Sequence, residues 1–283
     1  MIGGPAEVAL FRQRDERTKL GNLYVHSIHS TMLSLSDNSS LDRIAVSRDT
    51  ESVCRRRPPD MKRTLPASSA LIECDVMLFD MDGTLVDSTA VVERTWGRWA
   101  AKHGIDLIPL LEVSHGRPTI ETLSLVAPHL ATREEAARLD NEESGDSDGL
   151  RPVKGARELI ASLPDGRWGV VTSAGRRLAT GRLEAAGLPV PLVLVTSDDM
   201  PRGKPDPAGY LEAARQLSVT ADRAVVIEDT AVGVAAGRAA GATVIGVTTT
   251  FPALDQCDYC VPDLRAIRRV DGADRIRLHI DGQ

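Results

Sequence analysis

Three short apolar runs each end abruptly in polar residues, and they occupy residues 76–79, 168–171 and 224–227. Runs of this length, bounded by turn-forming residues, predict buried β-strands. A helical pattern follows the second run at residues 176–186, with Leu178 and Leu183 on its inward side and Gly187 as its stop. Another helical pattern occupies residues 208–217. Because open α/β sheets bind ligands at the carboxyl ends of their strands, the polar residues after these runs are candidate site residues.

The first run ends in two aspartates, Asp80 and Asp82, which are followed by Gly83 and Thr84. In a strand, residues i and i+2 point to the same face, so both carboxylates can reach one small site above the sheet. Two carboxylates held together do not both ionise readily without a cation or a shared proton. The pair suits an Mg²⁺ site in which one carboxylate attacks and the other handles a proton. The alternative is an ordinary acidic turn, since aspartate and glycine are common turn residues.

Three further segments weaken that alternative. Thr172 and Ser173 close the second run, where hydroxyl and backbone N–H groups form a phosphate site or only cap a helix. Lys204 lies between a glycine and a proline; it is either a solvated surface charge or a bridge between a carboxylate and a phosphoryl oxygen. Glu228 and Asp229 close the third run with a second acid pair, as a bound divalent cation requires.

These four segments resemble the four motifs of the haloacid dehalogenase superfamily, in the order and spacing of that family, over residues 74–270. The resemblance implies an α/β fold, with a Rossmann-like parallel sheet, helices on both of its faces and a small α-helical cap inserted after the first motif. The implied core comprises residues 71–87 and 152–272, the cap residues 88–151, and the C-terminal tail residues 273–283. Residues 1–70 lack a long apolar period and are predicted to be a disordered N-terminal extension.

The resemblance implies a catalytic role for each motif. Asp80 resembles the nucleophile that forms an aspartyl-phosphate. Asp82 resembles the general acid/base that protonates the leaving alcohol and later activates water. Thr172 or Ser173 resembles the hydroxyl that holds the phosphoryl group, and the position at the strand end favours Thr172. Lys204 resembles the lysine of the third motif, which offsets the negative charge of the nucleophile and the phosphate.

The resemblance also implies sets of binding residues. The implied Mg²⁺ ligands are Asp80, Asp82 through its backbone carbonyl, Glu228 and Asp229. The implied phosphate-binding residues of the core are Gly83, Thr84, Ser173 and Ala174. The cap loop that faces the active site in this family contributes His115, Gly116 and Arg117. For His115, a loop histidine with no ligand role is an equally weighted alternative.

Differences between the motifs separate the chemistries of the superfamily. Dehalogenases that cleave C–Cl bonds lack the second aspartate because no alkoxide needs a proton, so Asp82 favours phosphate chemistry. Sugar-phosphate mutases of the family often carry a histidine where residues 91–93 stand, and an arginine where Thr119 stands. The sequence therefore favours a phosphatase, and Arg117 keeps the mutase as an alternative. A non-enzymatic phosphate-ligand binding protein is the third hypothesis, although every motif acid and the lysine are present.

The predicted cap carries the information on specificity. Two of its segments are similar to bacterial hexitol and sugar phosphatases and to the glycerol-3-phosphatase and 2-deoxyglucose-6-phosphatase group, namely residues 93–99 and 114–116. This similarity implies a small sugar or polyol phosphate as substrate, and a role in carbohydrate metabolism. The cap helices are predicted at residues 90–103, 119–125 and 132–141. Trp96 and Trp99 recur at helical spacing and are expected in the cap core, and the acidic residues 141–149 are expected to form a solvated loop.

Composition agrees with an enzyme of this kind. The 283 residues suffice for one core and a cap, and the net charge is −6. Nothing in the sequence indicates nucleic acid as a partner, and no run of about 18 or more apolar residues predicts a membrane span. Four cysteines predict reduced thiols in a cytoplasmic protein, since Cys257 and Cys260 lack the second pair that a structural zinc needs. We expect a monomer or weak dimer that binds a small-molecule phosphate ester.

Overall fold

The computed structural model of the chain describes residues 69–270 and 275–281. The strands of these residues, in chain order, are β1 (Ala70–Cys74), β2 (Val76–Phe79), β3 (Val86–Asp87), β4 (Arg151–Pro152), β5 (Trp168–Val171), β6 (Val193–Val195), β7 (Ala224–Glu228), β8 (Thr243–Val247), β9 (Tyr259–Val261), β10 (Ile267–Val270) and β11 (Ile276–Ile280). The α-helices are α1 (Thr89–His103), α2 (Leu107–Ser114), α3 (Thr119–Val126), α4 (Arg133–Ser144), α5 (Ala156–Ser162), α6 (Arg176–Ala185), α7 (Ala208–Gln216) and α8 (Ala231–Ala239).

The central sheet has six parallel strands in the spatial order β6-β5-β2-β7-β8-β9. Every residue of β2 and β7 is buried, which explains why their sequences are continuous apolar runs. Phe79 at the end of β2 pairs with Val170 of β5 on one side and with Ile227 of β7 on the other. The residues that follow these three strands therefore meet at one edge of the sheet. The sheet confirms the predicted Rossmann-like core.

Helices cover both faces of this sheet. Helices α5 and α6 pack over one apolar cluster on one face of the sheet. Helices α7 and α8 pack over a second apolar cluster on the other face. The small residues of α8 allow it to lie close to the strands. A Cβ placed at Gly237 would be 3.0 Å from Cγ1 of Val226 and 3.0 Å from Cγ2 of Val244. The alanine-rich and glycine-rich sequence of this helix is thus a consequence of its packing distance.

Helices α1 to α4 form a separate layer, the cap, around their own apolar cluster. Trp96 and Trp99 are buried in it and meet edge to face with their ring centroids 5.6 Å apart, as predicted from their helical spacing. The helices predicted at residues 119–125 and 132–141 are present. The second of these continues through residue 144, so the predicted acidic loop is helical at its start.

Helix α2 was not predicted, because Pro109 interrupts its sequence. The structure places this proline in the first turn of the helix, where no intrahelical partner is available for the missing N–H. The carboxylate of Asp106 caps the helix by accepting a hydrogen bond from the N–H of Ile108 at 3.1 Å. The proline is therefore compatible with the first turn of this helix and does not end it.

The cap is connected to the core by two strands of two residues each, β3 and β4, which pair antiparallel. Arg151 in β4 donates two hydrogen bonds to Oδ2 of Asp87 in β3, at 2.9 and 2.8 Å. Both connections of the cap therefore leave the core side by side. These two strands adjoin residues 88 and 151, which are the expected bounds of the cap.

A second, three-stranded antiparallel sheet has the order β1-β11-β10. Residues 273–283, predicted to be a C-terminal tail, thus contain β11, which pairs antiparallel with β1. In this pairing Ala70 lies opposite Ile280. The prediction that residues 1–70 are disordered lies outside the described residues, except for the start of β1. Among the described helices, none has the length and apolar character needed to cross a membrane.

Candidate active site

Asp80 is the first residue after β2 and lies at the centre of the sheet edge, 4% exposed. Its N–H donates to the carbonyl oxygen of Ile227 in β7 at 3.0 Å, which extends the strand pairing past the end of β2. The chain then turns at Gly83, whose φ of +80° is a left-handed conformation. A Cβ at Gly83 would collide with the carboxylate of Asp229 and the hydroxyl of Thr250, so only glycine allows this close approach.

Lys204 joins the ends of three strands. Its ammonium group donates to Oδ1 of Asp80, to Oε1 of Glu228 at 2.6 Å and to the carbonyl oxygen of Val171 at 3.1 Å. Burial lowers the pKa of Lys204, but the carboxylates of Asp80 and Glu228 outweigh burial and hold that pKa above its usual range. Lys204 is therefore a fixed positive charge beside Asp80.

Glu228 is completely buried, and both of its carboxylate oxygens accept hydrogen bonds. Its Oε1 accepts from Lys204 and from the hydroxyl of Tyr210 at 2.7 Å. Its Oε2 accepts from the N–H of Asp229 at 3.1 Å and from the hydroxyl of Thr230 at 3.2 Å. These bonds fix the orientation of Glu228 beneath the site.

The carboxylates of Asp80, Glu228 and Asp229 offer oxygens that all lie within 4.8 Å of one another. Burial raises the pKa of Asp80 well above its usual range, against the opposing effect of Lys204. Burial and the neighbouring Glu228 raise the pKa of Asp229 to about 7. One lysine therefore does not balance the negative charge of the three acids. A divalent cation that prefers oxygen ligands fits these residues.

Two hydroxyl groups hold Asp229 in place. Thr84, which is completely buried, donates to its Oδ1 at 3.2 Å, and Thr250 donates to its Oδ2. Thr84 was predicted as a phosphate-binding residue, whereas in the structure its hydroxyl is hydrogen-bonded to the carboxylate of Asp229. Thr250 was not predicted, because it lies in the loop after β8, which carries no motif of its own.

Thr172 and Ser173 follow β5 and line a cavity of about 80 Å³ together with Asp80 and Asp82. The hydroxyl of Thr172 accepts a hydrogen bond from the N–H of Ala174 at 3.1 Å. The hydroxyl of Ser173 donates across to the cap, to the carbonyl oxygen of Gly116 at 2.8 Å. Thr172 is therefore part of the core side of the cavity, and Ser173 connects it to the cap.

The predicted cap residues His115, Gly116 and Arg117 line the same cavity. The imidazole of His115 meets the ring of Phe251 edge to face, with centroids 5.7 Å apart, and burial lowers its pKa. Arg117 donates to the carbonyl oxygen of Val113 at 2.8 Å, at the end of α2. The structure thus brings all three residues to the core motifs.

The comparisons with known proteins agree with this geometry. Residues 74–241 match the family model described as haloacid dehalogenase-like hydrolase. The chain belongs to this family. The match confirms the resemblance found in the four sequence motifs.

Two named relatives of this haloacid dehalogenase-like hydrolase are phosphatases. Hexitol phosphatase A of Escherichia coli (strain K12) is 37% identical over 203 residues, which cover 69% of this chain and 94% of that protein. The 2-deoxyglucose-6-phosphate phosphatase 2 of Saccharomyces cerevisiae is 32% identical over 219 residues, which cover 68% of this chain and 89% of that protein. A hydrolase from Pseudomonas syringae has a similar structure, with a TM-score of 0.60 and 26% identity, over 68% of this chain and 94% of that one.

Besides Thr250, three residues of the site in this haloacid dehalogenase-like hydrolase escaped prediction. Tyr210 is one, and Arg182 of α6 and Glu143 of α4 are the others. Arg182 donates to Oδ2 of Asp82 at 2.8 Å and to Oε2 of Glu143 at 2.6 Å. Glu143 was assigned to a solvated loop, but it is buried, 8% exposed, because α4 extends to residue 144 and packs against α6. No spacing pattern in the sequence signals this contact.

A second cavity, of about 210 Å³, adjoins the first between the cap and the core. Lys204, Thr172 and Tyr210 line its core side, and Glu121 and Asp140 line its cap side. The first cavity therefore reaches Asp80, and the second reaches its partner Lys204. The space over the sheet edge is bounded by the cap on one side and by the motif residues on the other.

Proposed function

We propose that this phosphatase uses Mg²⁺ to hydrolyse small sugar or polyol phosphates through an aspartyl-phosphate intermediate. The position of Lys204 carries the proposal, because its ammonium group contacts both Asp80 and Glu228 at the carboxyl ends of the strands. Such a charge offsets the repulsion between an attacking carboxylate and an approaching phosphoryl group. Asp82, two residues after Asp80, supplies a second carboxyl group in the same cavity.

In the first step, a carboxylate oxygen of Asp80 attacks phosphorus and the ester P–O bond breaks. Asp82 gives its proton to the leaving alcohol. In the second step, Asp82 takes a proton from water, and the water oxygen attacks phosphorus. Phosphate leaves and the carboxylate of Asp80 is restored. Lys204 stays beside Asp80 in both steps and offsets the negative charge of the carboxylate and of the phosphoryl group.

The residues that would hold Mg²⁺ are Asp80, Asp82 through its backbone carbonyl, Glu228 and Asp229. A bound Mg²⁺ supplies positive charge against the carboxylates and the phosphoryl oxygens. The chain itself fixes the direction of two of these acids. Hydroxyl groups of Thr84 and Thr250 hold Asp229, and Tyr210 holds Glu228.

We assign the binding of the phosphoryl group to the hydroxyl of Thr172. The other residues assigned to this site are Gly83, Thr84, Ser173 and Ala174. Thr172 lies at the strand end beside Asp80, whereas the Ser173 hydroxyl is directed to Gly116 of the cap. The turn at Gly83 brings the backbone close to Asp229, as a small phosphoryl site requires. These positions support a site for one phosphoryl group at the end of β5.

Features of the cap support the proposed class of substrate. The cavity of about 80 Å³ is small and has His115, Gly116 and Arg117 on its cap side. Groups that donate and accept hydrogen bonds suit the hydroxyls of a small polyol. The named relatives act on phosphates of hexitols and of 2-deoxyglucose, which supports the same class here. Location in the cytoplasm and a monomeric or weakly dimeric state stay predictions.

The test is phosphate release from a panel of sugar, polyol and nucleotide monophosphates, with Mg²⁺ and with a chelator. We expect release from a hexose, hexitol or glycerol phosphate that needs Mg²⁺ and is abolished in D80N. D222N, which changes an exposed aspartate on the surface of the core, is the matched control and should retain full activity. A folded wild-type chain that releases phosphate from no ester would contradict the proposal.

The same assay separates the two alternatives. A sugar-phosphate mutase would give an isomerised product without free phosphate. A binding protein would retain the ester unchanged. The structure gives the mutase no added support, because Arg117 donates to the carbonyl oxygen of Val113 at the end of α2.

A further inference from the structure

Arg182 lies inside the molecule between a carboxylate of the core and a carboxylate of the cap. Its Nη1 donates to Oδ2 of Asp82 at 2.8 Å, and its Nη2 donates to Oε2 of Glu143 at 2.6 Å. The side chains of Arg182 and Glu143 are 5% and 9% exposed. One guanidinium group therefore connects the cap directly to the proposed acid/base.

The two carboxylate oxygens of Asp82 have different surroundings. Oδ2 accepts from Arg182, whereas Oδ1 is buried and has no hydrogen-bond partner among the described residues. Asp82 and Asp80 line the same cavity. A carboxyl group fixed through one oxygen has only the other oxygen left for a substrate. Arg182 thus fixes Asp82 through Oδ2 and leaves Oδ1 as its oxygen without a hydrogen bond from the described residues.

Stability alone does not account for this arrangement. Arg182 and Glu143 are buried and Asp82 is partly buried, so the three charges lose much of their hydration, which offsets much of their attraction. The Nε of Arg182 is also buried without a partner among the described residues. The fork of donors on an arginine, however, holds two carboxylates in a defined geometry, which a lysine does not. The arrangement therefore suits a role in orientation.

We propose that Arg182 is a positioning residue that holds Asp82 by Oδ2 so that Oδ1 faces the leaving oxygen of the ester. Glu143 makes this orientation depend on the cap, because α4 brings the second carboxylate to the guanidinium. A cap that moves away from the core takes Glu143 with it. Asp82 is then fully oriented only when the cap covers the site. This inference rests on the proposed phosphatase reaction.

A comparison of leaving groups tests the inference. An alkyl phosphate such as glycerol phosphate needs a proton on its leaving oxygen, whereas 4-nitrophenyl phosphate releases a stable phenolate without one. The measured quantity is kcat/KM, which covers the steps up to release of the alcohol or phenol. For R182M we expect a loss of about 10²-fold on the alkyl ester and less than about threefold on the aryl ester.

Two conservative variants refine the comparison. R182K keeps the charge but not the fork of donors, so we expect a smaller loss with the same preference for the alkyl ester. E143Q keeps Arg182 and Asp82 and weakens only the connection to the cap. We expect it to lower kcat/KM for the alkyl ester more than for the aryl ester. If R182M does not fold, these two variants decide the question by the same contrast.

The matched control is R177Q. Arg177 lies on the same helix and also contacts the cap, through a hydrogen bond of 3.2 Å to Asn141, but its hydrogen bond does not involve Asp82. R177Q should leave the ratio of the two kcat/KM values unchanged. Equal losses on both esters in the Arg182 and Glu143 variants, at unchanged thermal stability, would overturn the inference alone. A wild-type chain that hydrolyses neither ester would overturn the proposed function, and the inference with it.

Discussion

Ser173 of the core donates its hydroxyl hydrogen to the carbonyl oxygen of Gly116 in the cap at 2.8 Å. The bond connects the end of β5, beside the proposed nucleophile Asp80, to the loop between α2 and α3. Gly116 adopts a φ of +75° there and lies against Thr230 and Val232 at the start of α8. The fit of this one loop residue thus sets how close the cap comes to the core.

We predict that G116A lowers phosphate release strongly. A Cβ at this position would lie 2.6 Å from Oγ1 of Thr230 and 2.9 Å from Cγ2 of Val232, so the loop would have to move outward. The left-handed backbone adds a cost of about 1–2 kcal/mol. Steady-state kinetics on a sugar phosphate checks the prediction.

G104A is its control. Gly104 ends α1 with a similar φ of +67°, and a Cβ there would meet no atom within 4 Å. Both variants carry the backbone strain, and only G116A obstructs the contact between cap and core. Comparable activity in the two variants would show that steric contact at Gly116 does not matter for turnover.

Replacement of Tyr210 by phenylalanine should destabilise the core by about 1.5–3 kcal/mol, the usual value of a hydrogen bond to a charged group. The variant removes the bond of 2.7 Å to Oε1 of Glu228, which then accepts from Lys204 alone. Urea unfolding followed by circular dichroism measures the change. Y259F provides the comparison, since no hydrogen bond from the Tyr259 hydroxyl is found among the described residues. Equal unfolding midpoints for the two variants would contradict the prediction.

The stability of the cap should depend on pH through Glu135. Hydrogen bonds from Arg138, and also from the indole N–H of Trp99, lower the pKa of Glu135 from 4.5 to about 2, against the effect of burial. A carboxyl group with a lowered folded-state pKa stabilises the fold above its unfolded-state pKa and loses that contribution as pH falls toward the folded-state value. We therefore expect E135Q to be less stable than wild type at pH 7, with a difference that shrinks between about pH 4.5 and pH 2.

Thermal unfolding monitored by tryptophan fluorescence gives this difference at each pH. E134Q, which changes the exposed neighbouring residue in α4, should show no such dependence. A difference between E135Q and wild type that stays constant down to pH 2 would contradict the assignment.

The three described cysteines should differ in their reaction with iodoacetamide near neutral pH. The hydrogen bond from Cys257 lowers the pKa of Cys260 to about 7, whereas burial raises the pKa of Cys74 to about 12. The thiolate is the reactive form, so Cys260 should be alkylated long before Cys74. Peptide mass mapping after timed labelling measures the order, and labelling in denaturant should abolish it. Simultaneous modification of the native chain would contradict it.

The motif residues could be predicted because each follows a strand that has its own sequence signal. Strands β5, β2 and β7 are neighbours in the sheet, so their ends bring Thr172, Asp80 and Glu228 together without help from any other element. The apolar runs therefore predicted the strands and the polar residues at their ends, and the resemblance of the motifs implied the sheet and the acidic cluster. The cap helices with a regular apolar period were predictable for the same reason.

Arg182, Glu143 and Tyr210 could not be predicted, because each lies on a helix whose position depends on packing. Arg182 is 100 residues from Asp82 and 39 residues from Glu143 in sequence. The pattern of α6 indicates an inward face, but not that the cap lies above its other side. The acidic composition at residues 141–149 indicated solvent, and only the tertiary structure shows that Glu143 has a buried arginine as its partner.

The two-residue strands β3 and β4 have a consequence for how enzymes of this architecture diversify. The cap enters and leaves the core at one paired point, so its four helices can be lengthened, replaced or shortened without a change in the register of the central sheet. In the proposed reaction, the part that would select the alcohol and the part that would break the P–O bond are thus separate structural units joined at one point. Glu143 and Arg182 mark where a newly acquired module must still match the old one.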